Sequence, residues 1–181
     1  MAIAASAFLT PSQAHAELKV AVIEMQKIFK EFNKTKEADI SIKEEQNGYK
    51  KQRDERMESY RKLAEQIKGL RDEAMDPSLS DAAKDDKNKA YEEKVNEARQ
   101  LEREIREFDQ TTVKLLRDQS TRMRDQILKE IQAEIDTFAK GKYSIVLDKS
   151  GMTLNGTSTV VYTEGLTDLT DELIKRLNAK K

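Results

Sequence analysis

The sequence predicts an α+β protein: a small β-sheet body with a long antiparallel helical coiled-coil hairpin inserted between its first strand and its C-terminal β-hairpin. Three observations predict this fold class. An apolar, strand-like segment stands near the N-terminus, at residues 18–23. Its best candidate partners, residues 143–148 and 157–162, come only near the C-terminus. The sequence between them is helix-permissive and has a single proline, Pro77, so two long helices can run out and back.

The composition limits the size of any core. Charged residues make up 37% of the chain and aromatic residues 6%, a profile typical of long helices and coiled coils. The 33 Lys and Arg residues nearly balance the 34 Asp and Glu residues, so no global field favours nucleic acid or an anionic membrane. Because the chain has no Cys, disulfides, thiolate zinc sites and cysteine nucleophiles are excluded.

Residues 1–16 differ from the rest of the chain. They contain no charged side chain, include a short apolar run and end in Ala14-His15-Ala16, a small-x-small cleavage pattern. The run is shorter than the ~20 residues that cross a bilayer. We interpret this segment as a secretory signal peptide, with a mature chain that begins at Glu17 and resides in the periplasm. The alternative is a disordered, Ala-rich tail.

The predicted arm spans residues 26–140, with its tip near 76–81. A first helix is expected over 25–75 and a second from about Asp81 to Lys140, where Gly141 stops it. Spacings of three and four on the first helix are typical of a coiled-coil seam, formed by Tyr60, Leu63, Ile67, Leu70 and Ala74. Between residues 43 and 56, Tyr49 is the only sizeable apolar side chain, so tight burial is not expected there.

The predicted body comprises residues 17–25 and 141–181. Alternating residues at 143–148, an extended 152–154 and the Asn155-Gly156 turn signal before 157–162 predict a meander. A last helix should cover the sheet with the apolar face of Leu169, Leu173, Ile174 and Leu177. A body of roughly fifty residues is smaller than the ~70 to 80 that a single core needs without staples. We therefore infer an obligate oligomer.

Three blocks at the two ends of the chain carry a resemblance: LKVAVIEMQKIFKEF (18–32), YSIVLDKSG (143–151) and VVYTEGLTDLTDELIKRLN (160–178). Together they resemble the Skp/OmpH-like periplasmic chaperone family. The resemblance implies a homotrimer with a shared β-barrel body, from which three helical hairpins surround a cavity. It also implies ATP-independent holding of unfolded outer-membrane proteins, here called clients. The arm tip is rich in Asp and Glu, unlike the basic tips of the family, so no lipopolysaccharide site is carried over.

Catalytic chemistry has little support in the sequence. The single histidine, His15, lies in the predicted signal peptide, and no phosphate loop, nucleophile elbow or dinucleotide fingerprint is present. At this charge density, paired carboxylates favour a solvated helix face over a catalytic dyad. We expect neither an enzyme nor a cofactor or metal site, and no nucleic-acid partner.

Apolar residues off the helical seam are the candidate client contacts: Phe29, Phe32, Ile40, Tyr49 and Met57. A second set are candidates for the trimer body: Val20, Val22, Ile145, Leu147 and Val161. Two alternative functions stay open at this point. One is a non-chaperone coiled-coil spacer of the cell envelope, and the other is a prefoldin-like cytosolic holdase.

Overall fold

The computed structural model describes residues 18–180, so the predicted signal peptide at 1–16 lies outside the described residues. The described chain is mostly helical, and the predicted small sheet and long helical hairpin are confirmed. Two compact units are formed, one by residues 18–32 with 130–180 and the other by residues 33–129. The elements in chain order are β1 (Val20–Ile23), α1 (Met25–Glu31), α2 (Asn33–Ala74), α3 (Asp81–Ala139), β2 (Ile145–Asp148), β3 (Thr167–Asp168) and α4 (Thr170–Ala179).

The sheet has the strand order β2-β1-β3, and both pairings are parallel. β1 pairs with β2 from Val20 opposite Ile145 to Ile23 opposite Asp148, which confirms 143–148 as a partner of the first strand. The predicted meander is wrong. Parallel neighbours need a crossover connection, which the helical segments between β1 and β2 supply.

The second partner of β1 also differs from the prediction. Thr167 and Asp168 form β3, whereas residues 157–162 contribute one isolated antiparallel bridge, Met152 to Ser158. The Asn155-Gly156 turn itself forms, with Gly156 at a φ of 76° and its N–H donating to the Thr153 carbonyl. A lone hairpin gains little stability without an apolar face to pack on. Within one chain this segment has none, because Val161 is 89% exposed.

The core of the unit that contains the sheet joins both ends of the chain. Leu169, Leu173, Ile174 and Leu177 are buried, which confirms the predicted apolar face of the last helix. They share this interior with β1 and with the C-terminal part of α3, whose buried side chains include Ile131 and Phe138. Thr170 fixes the start of α4, because its Oγ1 accepts a hydrogen bond from the Glu24 N–H and donates one to Asp168 Oδ1.

The first long helix is interrupted near its beginning, a break that the sequence did not reveal. α1 ends at Glu31, and Phe32 has an extended backbone with φ −66° and ψ 129°. The Phe32 side chain is 3% exposed, so the interruption turns an aromatic ring into the packed interior. The burial of one such side chain contributes ~1.5 to 3 kcal/mol, which favours the interruption.

The reversal between α2 and α3 occurs at Pro77, as predicted. Asp76 Oδ1 accepts a hydrogen bond from the Ser78 N–H, and Ser80 Oγ caps α3 by accepting one from the Ala83 N–H. At the other end of α3, Gly141 has a φ of 75°, the left-handed conformation typical of a helix stop.

Candidate functional site

The unit formed by residues 33–129 contains a groove between α2 and α3, of about 420 Å³. Tyr49 and Phe108 both line it and contact each other edge to face, with ring centroids 6.1 Å apart and planes inclined by 64°. Beside these rings, Arg53 Nε on α2 donates to both carboxylate oxygens of Asp109 on α3, at 3.0 and 3.2 Å. This hydrogen bond, shared between the two carboxylate oxygens, shows which residues of the two helices lie opposite each other beside the groove.

The groove exists because the two helices offer unequal surfaces. On α3, Phe108, Val113 and Leu116 present apolar side chains, whereas the facing stretch of α2 contributes mainly polar and charged groups around Tyr49. Because a charged side chain must keep its end group in water, it covers apolar neighbours only with its stem. Val113 is consequently 68% exposed. We call this surface the Tyr49–Phe108 groove.

The charged side chains that line the groove include more cations than carboxylates. Lys50 and Arg53 line it together with Asp109. The guanidinium of Arg56 lies 4.2 Å from the centroid of the Phe108 ring, within the range of a cation–π contact. The Arg53–Asp109 pair is close to half exposed, so its net contribution to stability is small.

The predicted client contacts fall into different environments. Tyr49 lines the groove, and Ile40 and Met57 are 58% and 40% exposed on α2. Phe29 is half-buried in the unit that contains the sheet. Phe32 is 3% exposed and packs in the interior of that unit, so it offers no surface to a client in this placement.

Phe108 and Val113 shape the groove, although no sequence pattern singled them out. Phe108 lies on the half-buried stripe of α3, three residues beyond the buried Ile105. Val113 follows Thr112, a half-buried residue of α3, so it stands one position off the half-buried stripe of that helix. An exposed β-branched residue beside a helical seam was the available signal. Its partner residues on α2 depend on the register between two helices, which the sequence does not show.

The candidates for the trimer body are distributed over the sheet and the segment that follows it. Val20 is half-buried and Val22 is 2% exposed, so both lie largely inside the chain. Ile145 and Leu147, on the edge strand β2, are 40% and 39% exposed. Val161 belongs to a longer exposed apolar segment that also includes Met152, Leu154 and Tyr162.

Two carboxylates with lowered pKa values, Asp168 and Glu134, belong to ion pairs. Burial raises the pKa of Asp168, but hydrogen bonds from Lys149 and Thr170 outweigh it and lower the pKa to about 2. In the same way, hydrogen bonds from Lys180 and Arg176 overcome the burial of Glu134 and lower its pKa. Among residues 18–180, no cluster of three or more His, Asp or Glu side chains has the geometry to hold a metal ion. Nor does any helix in that range combine the length and apolar character needed to span a membrane.

Comparisons with known proteins assign the chain to a family. The model of the outer membrane protein (OmpH-like) family matches residues 19–177. A crystal structure of a candidate outer membrane chaperone (OmpH-like) from Caulobacter crescentus CB15 superposes with a TM-score of 0.64 at 13% sequence identity. The alignment covers 97% of this chain and 92% of the other. Comparison with curated protein sequences finds no significant match. Because the family model matches most of its length, the chain belongs to the OmpH-like family.

Proposed function

We propose that this protein is a periplasmic holdase chaperone, which binds unfolded outer-membrane proteins without ATP and keeps them from aggregating before membrane insertion. The Tyr49–Phe108 groove carries this proposal: it is an accessible apolar surface on an otherwise charged helical hairpin. Membership of the OmpH-like family and the chaperone description of the Caulobacter crescentus protein support it.

The groove suits a binder of many clients. An apolar contact is non-directional and contributes about 25 cal/mol per Å² of buried surface, so unrelated sequences can occupy it. One groove therefore supplies only a weak interaction. Several hairpins that contact one client would act together, because linked weak sites raise the overall affinity without any new kind of contact. The sequence has no phosphate-binding loop, so we expect binding and release to need no nucleotide.

The same proposal includes a homotrimer with a shared β body made of residues 17–25 and 141–181, with residues 26–140 as the arm. The half-exposed Ile145 and Leu147 on β2 support it, because an edge strand with large apolar side chains is a surface for further association. The apolar segment that contains Leu154 and Val161 is more exposed still, at 108% and 89%. Apolar patches of this kind mark interaction sites. Cleavage of residues 1–16 would place the mature chain in the periplasm.

Replacement of residues 49–112 by a short turn tests the holdase proposal. This change removes the groove and the tip and retains every strand of the sheet. We expect the shortened protein to keep its oligomeric state in sedimentation. We also expect it to lose its ability, in stoichiometric amounts, to suppress light scattering by an unfolded outer-membrane protein diluted from urea.

Three results of this experiment would contradict the proposal. Full protection by the shortened protein would move client binding to the body. A full-length chain that suppresses no aggregation would favour the spacer of the cell envelope. Suppression that requires added ATP would contradict the absence of a nucleotide step. N-terminal sequencing of the exported protein completes the test, because an intact leader on cytoplasmic protein would favour the prefoldin-like alternative.

A further inference from the structure

We propose that the Tyr49–Phe108 groove takes one aromatic side chain at a time from an extended client segment, and that it prefers an aromatic residue with acidic neighbours. This inference rests on the proposed holdase function and names the client chemistry of the same site. The observations that carry it are the size of the groove, the arrangement of its rings and the charges along its α2 side.

The groove is large enough to admit a single large side chain. At about 420 Å³ it falls near the lower end of the range for small-ligand pockets, ~300 to 1,000 Å³. It is lined by Tyr49, Arg53, Phe108, Thr112, Val113 and Leu116. An aromatic side chain buries ~150 to 250 Å². A stable interface between two proteins buries ~1,200 Å² or more, so a partner helix or a second copy of this chain would be poorly anchored here.

The rings in the groove favour an aromatic occupant over an aliphatic one. Tyr49 and Phe108 already stand edge to face, the geometry that aromatic quadrupoles prefer, and a third ring extends the same arrangement. Val113, 68% exposed, offers a flat apolar wall to that ring. The contact between two aromatic rings contributes free energy beyond that of burying their surface. This extra contribution is equivalent to a ~2- to 10-fold gain in affinity.

The charges beside the groove favour acidic neighbours in the client. Arg53 is paired with Asp109, whereas Lys50 lies on the same α2 wall and Arg56 lies over Phe108. An Asp or Glu next to the client aromatic residue can approach these cations while its own side chain stays in water. Exposed ion pairs of this kind contribute little free energy, so we expect each pair to change affinity by ~2- to 5-fold.

The absence of Cys from the sequence allows a site-specific test on the full-length protein. Val113→Cys places a thiol in the groove, and Met75→Cys is the matched control, because the two native side chains are 68% and 66% exposed. The probe is a 12-residue peptide with one Phe between two Asp residues. At a peptide concentration of ten times its Kd, alkylation of the Val113→Cys thiol should slow ~10-fold. The Met75→Cys thiol should react at an unchanged rate.

Two altered peptides test the chemistry. Replacement of Phe by Leu should weaken binding ~2- to 10-fold, and replacement of both Asp residues by Lys should weaken it by a further few-fold at low salt. Equal protection of both thiols, or equal affinity for the Phe and Leu peptides, would overturn the proposal. So would protection of the Val113→Cys thiol without peptide that grows with protein concentration, because a second copy would then fill the groove.

Failure of this inference can be told apart from failure of the holdase proposal. If wild-type protein suppresses client aggregation but the peptide protects both thiols equally, the groove assignment is wrong and the holdase proposal stands. If the peptide protects the Val113→Cys thiol selectively but no aggregation is suppressed, the groove binds as described and the holdase proposal is wrong. If neither is observed, both are wrong.

Discussion

Glu134 is a buried carboxylate whose charge depends on the C-terminal helix. The residue is 2% exposed on α3. Arg176 Nε donates to its Oε1 at 2.5 Å, and Lys180 Nζ donates to its Oε2. Burial raises the pKa of Glu134, but the hydrogen bonds from Lys180 and Arg176 outweigh it, so the pKa lies below its ordinary value of 4.5. Two cations near the end of the chain thus keep a charge inside the fold.

Removal of the cations should therefore cost more than removal of the carboxylate. Arg176→Met with Lys180→Met keeps the aliphatic stems and leaves Glu134 charged, buried and unpaired, which costs about 3 to 5 kcal/mol. Glu134→Gln instead frees the two cations, which are 42% and 65% exposed and can return to water. The loss of charged hydrogen bonds in that variant costs about 1 to 3 kcal/mol.

The pH dependence of the two proteins should have opposite signs. In the wild type, the lowered pKa gives a stabilisation that is present above pH 4.5 and lost as the pH falls through the folded pKa of Glu134. In the Arg176→Met/Lys180→Met variant, burial is no longer opposed, so the pKa rises above 4.5. Its deficit in stability is then largest at neutral pH and shrinks as the carboxyl group becomes protonated.

Urea denaturation at a fixed protomer concentration measures both effects, because the stability of an oligomer depends on concentration. We expect the free energy of unfolding at pH 7 to decrease from wild type to Glu134→Gln and again to the Arg176→Met/Lys180→Met variant. The gap between wild type and the double variant should narrow at pH 5. A double variant that is no less stable than Glu134→Gln, or a gap that stays constant with pH, would refute a charged Glu134 held by α4.

Three further predictions concern the unit that contains the sheet. Val22→Asp should prevent folding, because Val22 is 2% exposed. Leu147→Asp, at 39% exposed, should dissociate the proposed oligomer and lower the urea midpoint, because a body of this size is not stable in one copy; an undisturbed trimer in sedimentation would reject the proposed interface. Asp168→Asn should lower the urea midpoint at pH 7, by an amount that fades as the pH falls through about 2, because the Lys149 partner stabilises the charged form. Gly141→Ala should cost about 1 kcal/mol by thermal denaturation, because its φ of 75° disfavours a side chain; an unchanged midpoint would contradict this.

Local chemistry explains which elements could be predicted from the sequence. Pro77, the Ser80 cap and Gly141 act within a few residues, so the reversal and the end of α3 follow from the sequence alone. Strand pairing is not local. The β-branched pattern of 157–162 predicts a strand, but a strand needs a partner surface that this chain does not provide. The observed third strand has only two residues, Thr167–Asp168, too short for a periodic signal.

The candidate site was only half predictable, for a similar reason. Tyr49 stands out because it is the one sizeable apolar residue in a charged stretch of α2. Its counterpart Phe108 is set by the register of the hairpin, which the turn and contacts such as the Arg53–Asp109 pair determine together. Phe32 illustrates the opposite error, because an aromatic residue off the helical seam turned out to be part of a packed interior.

The unequal faces of α2 and α3 lower the stability of the hairpin and favour the proposed binding of clients. A leucine-rich seam would bury Val113 and Leu116, and each buried side chain of that kind would add ~1.5 to 3 kcal/mol to stability. Such a hairpin would have no apolar surface left for an unfolded protein. The charged residues around Tyr49 instead leave an apolar strip open while their own end groups keep the hairpin hydrated. The proposed client site requires this compromise, because any segment of its own chain that filled the groove would compete with the client.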